Sequence, residues 1–231
     1  ALMSKVEKQA NDKPVPDCRN DTADSWSGND GSPYVDGKID LSGPANVTWT
    51  PNHDIQLPAD ARVFNPEALN TIVAGRFDRR NARNIEKYVE GFTRLLDLGT
   101  GVGFIPMRLR LMMPGLTILA QDNRPPLIRV GRNIADHNGR DIKDTTRLKL
   151  VDTELQFKTD TATQASGLAA YLGDFNPDVV RIATPAAVTE KMLTDMPLDG
   201  VQRIIIPFTS DAAFLRDAYT PVLTSHGFVE T

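Results

Sequence analysis

The chain has 231 residues, a formal net charge of −4, and 40% apolar and 24% charged residues. That make-up belongs to a globular protein and excludes collagen-like, coiled-coil and wholly disordered chains. At this length one core can bury roughly 70% of the surface the unfolded chain exposes, so folding needs no staple; with Cys18 the sole cysteine and no Cys/His cluster at zinc-site spacing, neither a disulfide nor a metal is expected.

No apolar run approaches the roughly 20 residues that span a bilayer. The stretch from Ala1 to Asn11 is too polar for an intact signal peptide, so a cytoplasmic location is expected. The N-x-T sequons at Asn20 and Asn46 are short enough to arise by chance. A pI near 5.4 speaks against a protein that coats nucleic acid, which needs clustered cations. No membrane partner is expected, and the charge argues against a nucleic-acid partner, with a local basic groove left open.

In chain order, residues 1–60 hold nine Asp and ten Gly or Pro, and apolar positions such as Trp26, Tyr34, Ile39, Trp49 and Leu57 settle into no period. They read as an extended N-terminal arm with one short strand over Asn46 to Thr50, where Val47 and Trp49 alternate with polar neighbours. Two outcomes stand open: a floppy tail, or a cover in which Trp49 lies over the core and helps close a pocket.

Residues 61–231 read as a folded domain. Asn65-Pro66-Glu67 combines an N-cap, a proline at the first helical position and an acid in the first turn, predicting a helix to about Ala74. A second helix is predicted over Arg80 to Glu90, with Ile85, Tyr88 and Val89 on one face and Arg76, Arg79, Arg80 and Arg83 a solvated one. This helical pair, 65–90, precedes a core over 94–231. There, strands at Arg94 to Leu98, Thr117 to Gln121, Arg147 to Val151, Asp178 to Ile182 and Val201 to Pro207 alternate with helices at Phe104 to Met113, Pro125 to His137, Thr161 to Leu172, Ala186 to Asp195 and Ser210 to Ser225. Such alternation predicts an α/β fold, a doubly wound, mostly parallel sheet covered on both faces. Ligands in such sheets sit beyond the carboxyl ends of the strands, where the strand order reverses.

The most informative segment is Leu95-Leu96-Asp97-Leu98-Gly99-Thr100-Gly101-Val102-Gly103-Phe104. Glycines at alternate positions after an apolar strand let the backbone turn sharply and leave no Cβ between main chain and ligand. The spacing fails the G-x-G-x-x-G dinucleotide pattern, and no Gly-Lys-Ser or Gly-Lys-Thr follows for a phosphate loop. An acid just before the glycines, Asp97, suits a cationic ligand.

The D-x-G-x-G-x-G run resembles that of class I S-adenosylmethionine-dependent methyltransferases, in which the turn cradles the amino-acid part of the cofactor. The next strand ends at Asp122, and Asn123-Arg124-Pro125-Pro126 opens a helix, which is similar to the same family's acid at the second strand tip. A carboxylate there can accept two hydrogen bonds from a ribose diol. The resemblance implies a Rossmann-like fold, S-adenosylmethionine as cofactor, and contacts from Asp97, Gly99, Thr100, Gly101, Gly103, Asp122 and Asn123, with Asp152 a neighbour of the adenine ring. Val63 to Glu67, Ala74 to Phe77, Asn133-Ile134, His137 to Gly139, Leu168 to Tyr171, Pro177 to Ile182 and Gly227-Phe228 further resemble the FkbM methyltransferases, over about residues 61 to 230.

One departure matters. Where that family carries an Asp-x-Glu-Gly segment after the fourth strand, this chain has Ala183-Thr184-Pro185-Ala186-Ala187-Val188, and the Asn-Pro-Pro-Tyr tetrad of amino-methylating enzymes is absent too. O-methylation of a small molecule is the leading expectation; an inactive cofactor-binding module and an RNA or protein methyltransferase recruiting through Arg76 to Arg83, Arg124, Arg129 and Arg132 are the alternatives. No catalytic residue is assigned: His137 reads as a solvated residue late in a helix and His226 as a cap before a glycine turn, while His53, on the arm, could reach a pocket only if the arm folds over it. Only Phe228 to Thr231 follows the last helix, so either the sheet is trimmed or the arm supplies a strand, at an edge open to homodimer pairing.

Overall fold

The computed structural model describes residues 2–8, 32–35, 38–42, 47–139, 148–152, 173–183, 188, 190–208 and 213–230. The predicted helix over 161–172 lies outside them, as do Cys18, the sequon asparagines Asn20 and Asn46, and residues 184–187. In chain order the strands are β1 (Leu2–Lys8), β2 (Trp49–Asn52), β3 (Ile55–Pro58), β4 (Arg94–Leu98), β5 (Thr117–Asp122), β6 (Leu148–Asp152), β7 (Val179–Ile182), β8 (Arg203–Phe208) and β9 (Phe228–Glu230). The helices are α1 (Pro66–Val73), α2 (Arg79–Val89), α3 (Phe104–Met112), α4 (Pro125–Asn138), α5 (Glu190–Thr194) and α6 (Ala213–Ser225).

Seven strands form one sheet in the order β6-β5-β4-β7-β8-β1-β9. The run from β6 to β8 is parallel, and β1 is antiparallel to both β8 and β9. The five parallel strands are those read from the sequence, each within two residues at either end, because strands buried on both faces must be continuously apolar. This is a doubly wound, Rossmann-like α/β fold. Strand order reverses at β4, whose neighbours are β5 on one side and β7 on the other.

Side-chain alternation divides the core in two. On β4, Leu95 packs with Ile72, Ile85, Phe104 and Leu127 on one face, while Leu96 and Leu98 pack with Leu193, Tyr219 and Leu223 on the other. Val179 and Ile205 join the first cluster; Val180, Ile204 and Ile206 join the second. Asp97 and Arg181 are register partners on β4 and β7, and the period of two puts both on the face of Leu95 and Val179. The fold thus aims an acid and a base into one apolar layer.

The arm is integral to the fold. Leu2 pairs with Phe208 and Lys8 with Phe228, so β1 lies between two strands and the sheet edges are β6 and β9, not the arm as expected. The strand expected at Asn46 to Thr50 is instead β2, which continues through Pro51 and returns as β3. His53 and Asp54 both take left-handed backbone (φ 48 and 69), as a two-residue hairpin turn requires. Trp49 lies over the core, packed against the first cluster, and its ring stacks on His137 at 3.6 Å on the end of α4. Asn138 completes that junction, accepting from the Gln56 amide (2.7 Å) and donating to its carbonyl (2.9 Å) like one more strand residue. The predicted solvated face of α2 is only partly so, since Arg80 is buried.

Asn52, fully buried, joins the hairpin to the helical pair. Its Nδ2 donates to the carbonyls of Thr50 and Ile72, and its Oδ1 accepts from the Phe77 amide (2.9 Å). Asn52→Ala leaves the Ile72 carbonyl and the Phe77 amide buried without that partner. An expected cost of about 2–4 kcal/mol follows, read as a lowered denaturation midpoint with an unchanged slope.

Candidate functional site

Beyond β4 the chain turns on three left-handed glycines, Gly99, Gly101 and Gly103 (φ 69, 63 and 75), before α3 begins. That geometry is strained for other residues and accounts for the alternate spacing. The turn is tied down from three sides: the Thr100 amide donates to the Gln121 carbonyl (3.0 Å), the Thr100 hydroxyl to Asp97 Oδ2 (2.7 Å), and the Gly101 amide to Asp122 Oδ2 (2.7 Å).

Asp97 and Asp122 are both fully buried. Asp97 also accepts from Arg181 Nη1 at 2.7 Å, an ion pair across the point where strand order reverses. Burial pushes the Asp97 carboxyl above the usual range, with Arg181 and Thr100 opposing. Buried Arg181 Nε has no hydrogen-bond partner among the described residues. Asp122 accepts from the Arg124 amide (2.9 Å) and from the Arg124 fork, Nε to Oδ1 at 2.8 Å and Nη2 to Oδ2 at 2.9 Å.

The sequence reasoning missed Tyr34, Arg124, Arg181 and Asp78. Tyr34 sits over the turn, 8% exposed, with its hydroxyl accepting the Val102 amide at 3.0 Å. A Cβ on Gly101 would lie 1.9 Å from that hydroxyl. Arg124 Cζ stands 5.1 Å from the Tyr34 ring centroid, so the guanidinium considered for RNA recruitment turns inward instead. Burial raises the Tyr34 phenol above its ordinary range and keeps its proton on. Asp78, at the head of α2 with left-handed backbone (φ 46), accepts from Asn81 Nδ2 at 2.7 Å. Burial pushes its carboxyl up to about 7, against Arg181 and Asn81 and with the help of Asp97. Only Arg181 carried a signal, its place in the fourth predicted strand.

Of the residues expected around a ligand, Asp97, Gly99, Thr100, Gly101, Gly103 and Asp122 come together at the carboxyl ends of β4 and β5. Asn123 is exposed beside them, and Asp152 ends β6 in register with Asp122, its side chain outside the described residues. His53 lies away from this group, tilted against Phe104 at 6.3 Å; burial, then Arg108, Arg83 and Arg79, hold its imidazole below the ordinary range. His137 is exposed under Trp49. Among the described residues no group of His, Cys, Asp or Glu could hold a metal ion, and no helix is long and apolar enough to cross a membrane.

No protein-family model and no curated protein matches the chain. Solved structures do. The N-terminal domain of EvdMO1 with SAH bound is 26% identical over 51% of this chain and 43% of that one (TM-score 0.36). The methyltransferase SibL in its apo form is 19% identical over 69% and 47% (TM-score 0.41). The Pyrococcus abyssi tRNA (uracil-54, C5)-methyltransferase in complex with S-adenosyl-L-homocysteine is 16% identical over 76% and 37% (TM-score 0.46). The chain spans less than half the length of each.

The raised Asp78 carboxyl has a measurable consequence. Its folded pKa lies above the ordinary 3.8, so the native state binds the extra proton between about pH 4 and 7. Stability from this group is therefore present at the acid end and lost as pH rises towards 7. Asp78→Asn is expected to match the parent near pH 4 and exceed it by about 1–2 kcal/mol at pH 8, discounted for partial exposure; thermal melts across this range check it.

Proposed function

We propose that this chain is a methyltransferase domain that uses S-adenosylmethionine and acts on a hydroxyl of a small molecule. The observation that carries the reading is the glycine turn. Bare main chain stands where strand order reverses, with the buried Asp122 carboxylate of the next strand tip facing it. A cytoplasmic location and FkbM-like membership belong to the same reading, the latter supported by the runs flanking the turn, Val63 to Glu67 and Asn133 to Gly139.

The residues fit this group. The missing Gly101 Cβ leaves room that the Tyr34 hydroxyl now uses, so a ligand atom can stand equally close. Asp122 holds the two parallel donors of the Arg124 fork, and a vicinal diol offers paired donors of the same kind. Gly99, Thr100, Gly101 and Gly103 would meet the amino-acid end, Asp122 the ribose, and Asn123 with Asp152 the base. Asp97 keeps the turn closed through Thr100.

When bound, the cofactor supplies a methyl group already activated by sulfonium charge, so the protein's task is orientation in the attack line. A hydroxyl nucleophile must also lose a proton. The family's acids after the fourth strand are replaced here by Ala183 to Val188. We assign that role to Asp78, the N-cap of α2: it lies within electrostatic reach of Asp97 and Arg181, and burial pushes its carboxyl up to about 7.

A second reading, a binding module without transfer, is favoured by one observation: Tyr34 and Arg124 already take up the hydrogen-bond positions at the turn. Titration calorimetry with S-adenosylhomocysteine, followed by transfer assays on hydroxylated acceptors, separates the readings. The proposal expects saturable binding that Asp122→Asn weakens about 10- to 100-fold, the loss of a charge-assisted pair of bonds. It also expects a rate profile whose step near pH 7 disappears in Asp78→Asn. Binding without turnover would leave only the module, and no binding would sink both.

A further inference from the structure

Asp97, Gln121 and Asp122 build the glycine turn, and two further groups reach it without being needed to build it. The Gly101 amide already has Asp122, and the Thr100 amide already has Gln121. Tyr34 and Arg124 come in from outside. The Tyr34 hydroxyl takes the Val102 amide, the backbone donor beside the space of the missing Cβ. The Arg124 fork takes both oxygens of Asp122, leaving that carboxylate without a side free for a diol.

Tyr34 is carried by a short strap, Ser32 to Val35. Among the described residues its backbone is tied to the segment leading into α1: the Val35 amide donates to Val63 (2.9 Å), the Asn65 amide to Pro33 (3.1 Å), and Asn65 Nδ2 to Ser32 (2.9 Å). Tyr34 forms an isolated antiparallel bridge with Phe64, and their rings lie 5.7 Å apart. Asn65 is also the N-cap of α1, its Oδ1 accepting the Ala68 amide at 2.8 Å. The strap therefore hangs from the head of one helix, and its tip closes on the head of another.

Resting on the methyltransferase reading, we propose that this strap is a self-supplied plug. In the closed arrangement seen here Tyr34 and Arg124 take the hydrogen-bond positions at Val102 and Asp122 that the cofactor's amino-acid and ribose ends require, and the site opens when the strap lifts and the Arg124 fork releases Asp122. A buried ring cannot share that space with a nucleoside. Closure lowers apparent affinity by the fraction of molecules that are open, so removing the plug raises affinity by the same factor without any new contact. The Tyr34 hydroxyl is held by one neutral bond, to the Val102 amide, whereas the Arg124 fork on Asp122 is a charge-assisted pair, so the strap tip lifts more readily than the fork releases.

The test is calorimetric titration of the full chain with S-adenosylhomocysteine, comparing the parent with Tyr34→Ala and Arg124→Gln, and hydrogen exchange of the parent with and without the same compound. The plug predicts affinity at least 10-fold tighter in Tyr34→Ala and several-fold tighter in Arg124→Gln. It also predicts that the Val35 and Asn65 amides exchange faster once the compound is bound, while those of β4 and β5 do not. Unchanged or weaker binding in Tyr34→Ala overturns the plug and leaves the cofactor reading standing, as does unchanged strap protection in the loaded parent should Tyr34→Ala fail to fold. No binding by any of the three proteins overturns the cofactor reading and the plug with it.

Discussion

The hydrogen bond from the Gly101 amide to the Asp122 carboxylate, 2.7 Å long and fully buried, is the constraint on which the site rests. It joins the tip of β5 to the turn after β4 and fixes where bare main chain faces out of the sheet. Its geometry follows from the fold. Parallel pairing of Asp97 with Ala120 and of Leu98 with Gln121 brings Asp122 level with the first turn residue, so the carboxylate reaches the glycines without leaving its strand. A residue with a Cβ at position 101 would be strained at φ 63 and would collide with the Tyr34 hydroxyl above the turn.

Around this bond lies a costly arrangement of buried charge. Asp97, Asp122 and Arg181 are almost fully buried, and Asp78 faces two of them. A buried ion pair is weak support for stability, because desolvation offsets most of the attraction. A cluster like this is therefore better explained by what it positions than by what it stabilises. Arg181 and Asp97 cross the reversal of strand order and hold the turn through Thr100, whereas Asp78 keeps its proton to near neutrality. The second core on the other face of the sheet, built on Leu96, Leu98, Val180 and Ile204, holds no buried charged side chain among the described residues.

Much of the fold was legible in the sequence, for a physical reason. Parallel strands buried on both faces leave continuous apolar runs, and helix heads announce themselves through caps such as Asn65-Pro66. The glycine turn was legible because alternate left-handed positions leave few residue choices. What stayed hidden was non-local. Leu2–Lys8 offers no sign that its partners are Phe208 and Phe228 at the other end of the chain. Pro51 disguised β2, since a proline inside a run argues against a strand unless the strand is an edge one, as here in a two-stranded sheet. Tyr34 lies in a stretch with no period, and whether Arg124 points to solvent or back onto Asp122 is decided by the helix start at Pro125, three residues beyond the end of the strand.

The most direct test of the central claim is a crystal structure of the full chain grown with S-adenosylhomocysteine. The account predicts density for the compound against Gly99 to Gly103, with its ribose hydroxyls on Asp122 and with Tyr34 and Arg124 moved off Val102 and the carboxylate. Crystals in which the compound is absent or bound elsewhere, while the Tyr34 hydroxyl still sits on the Val102 amide, would contradict it.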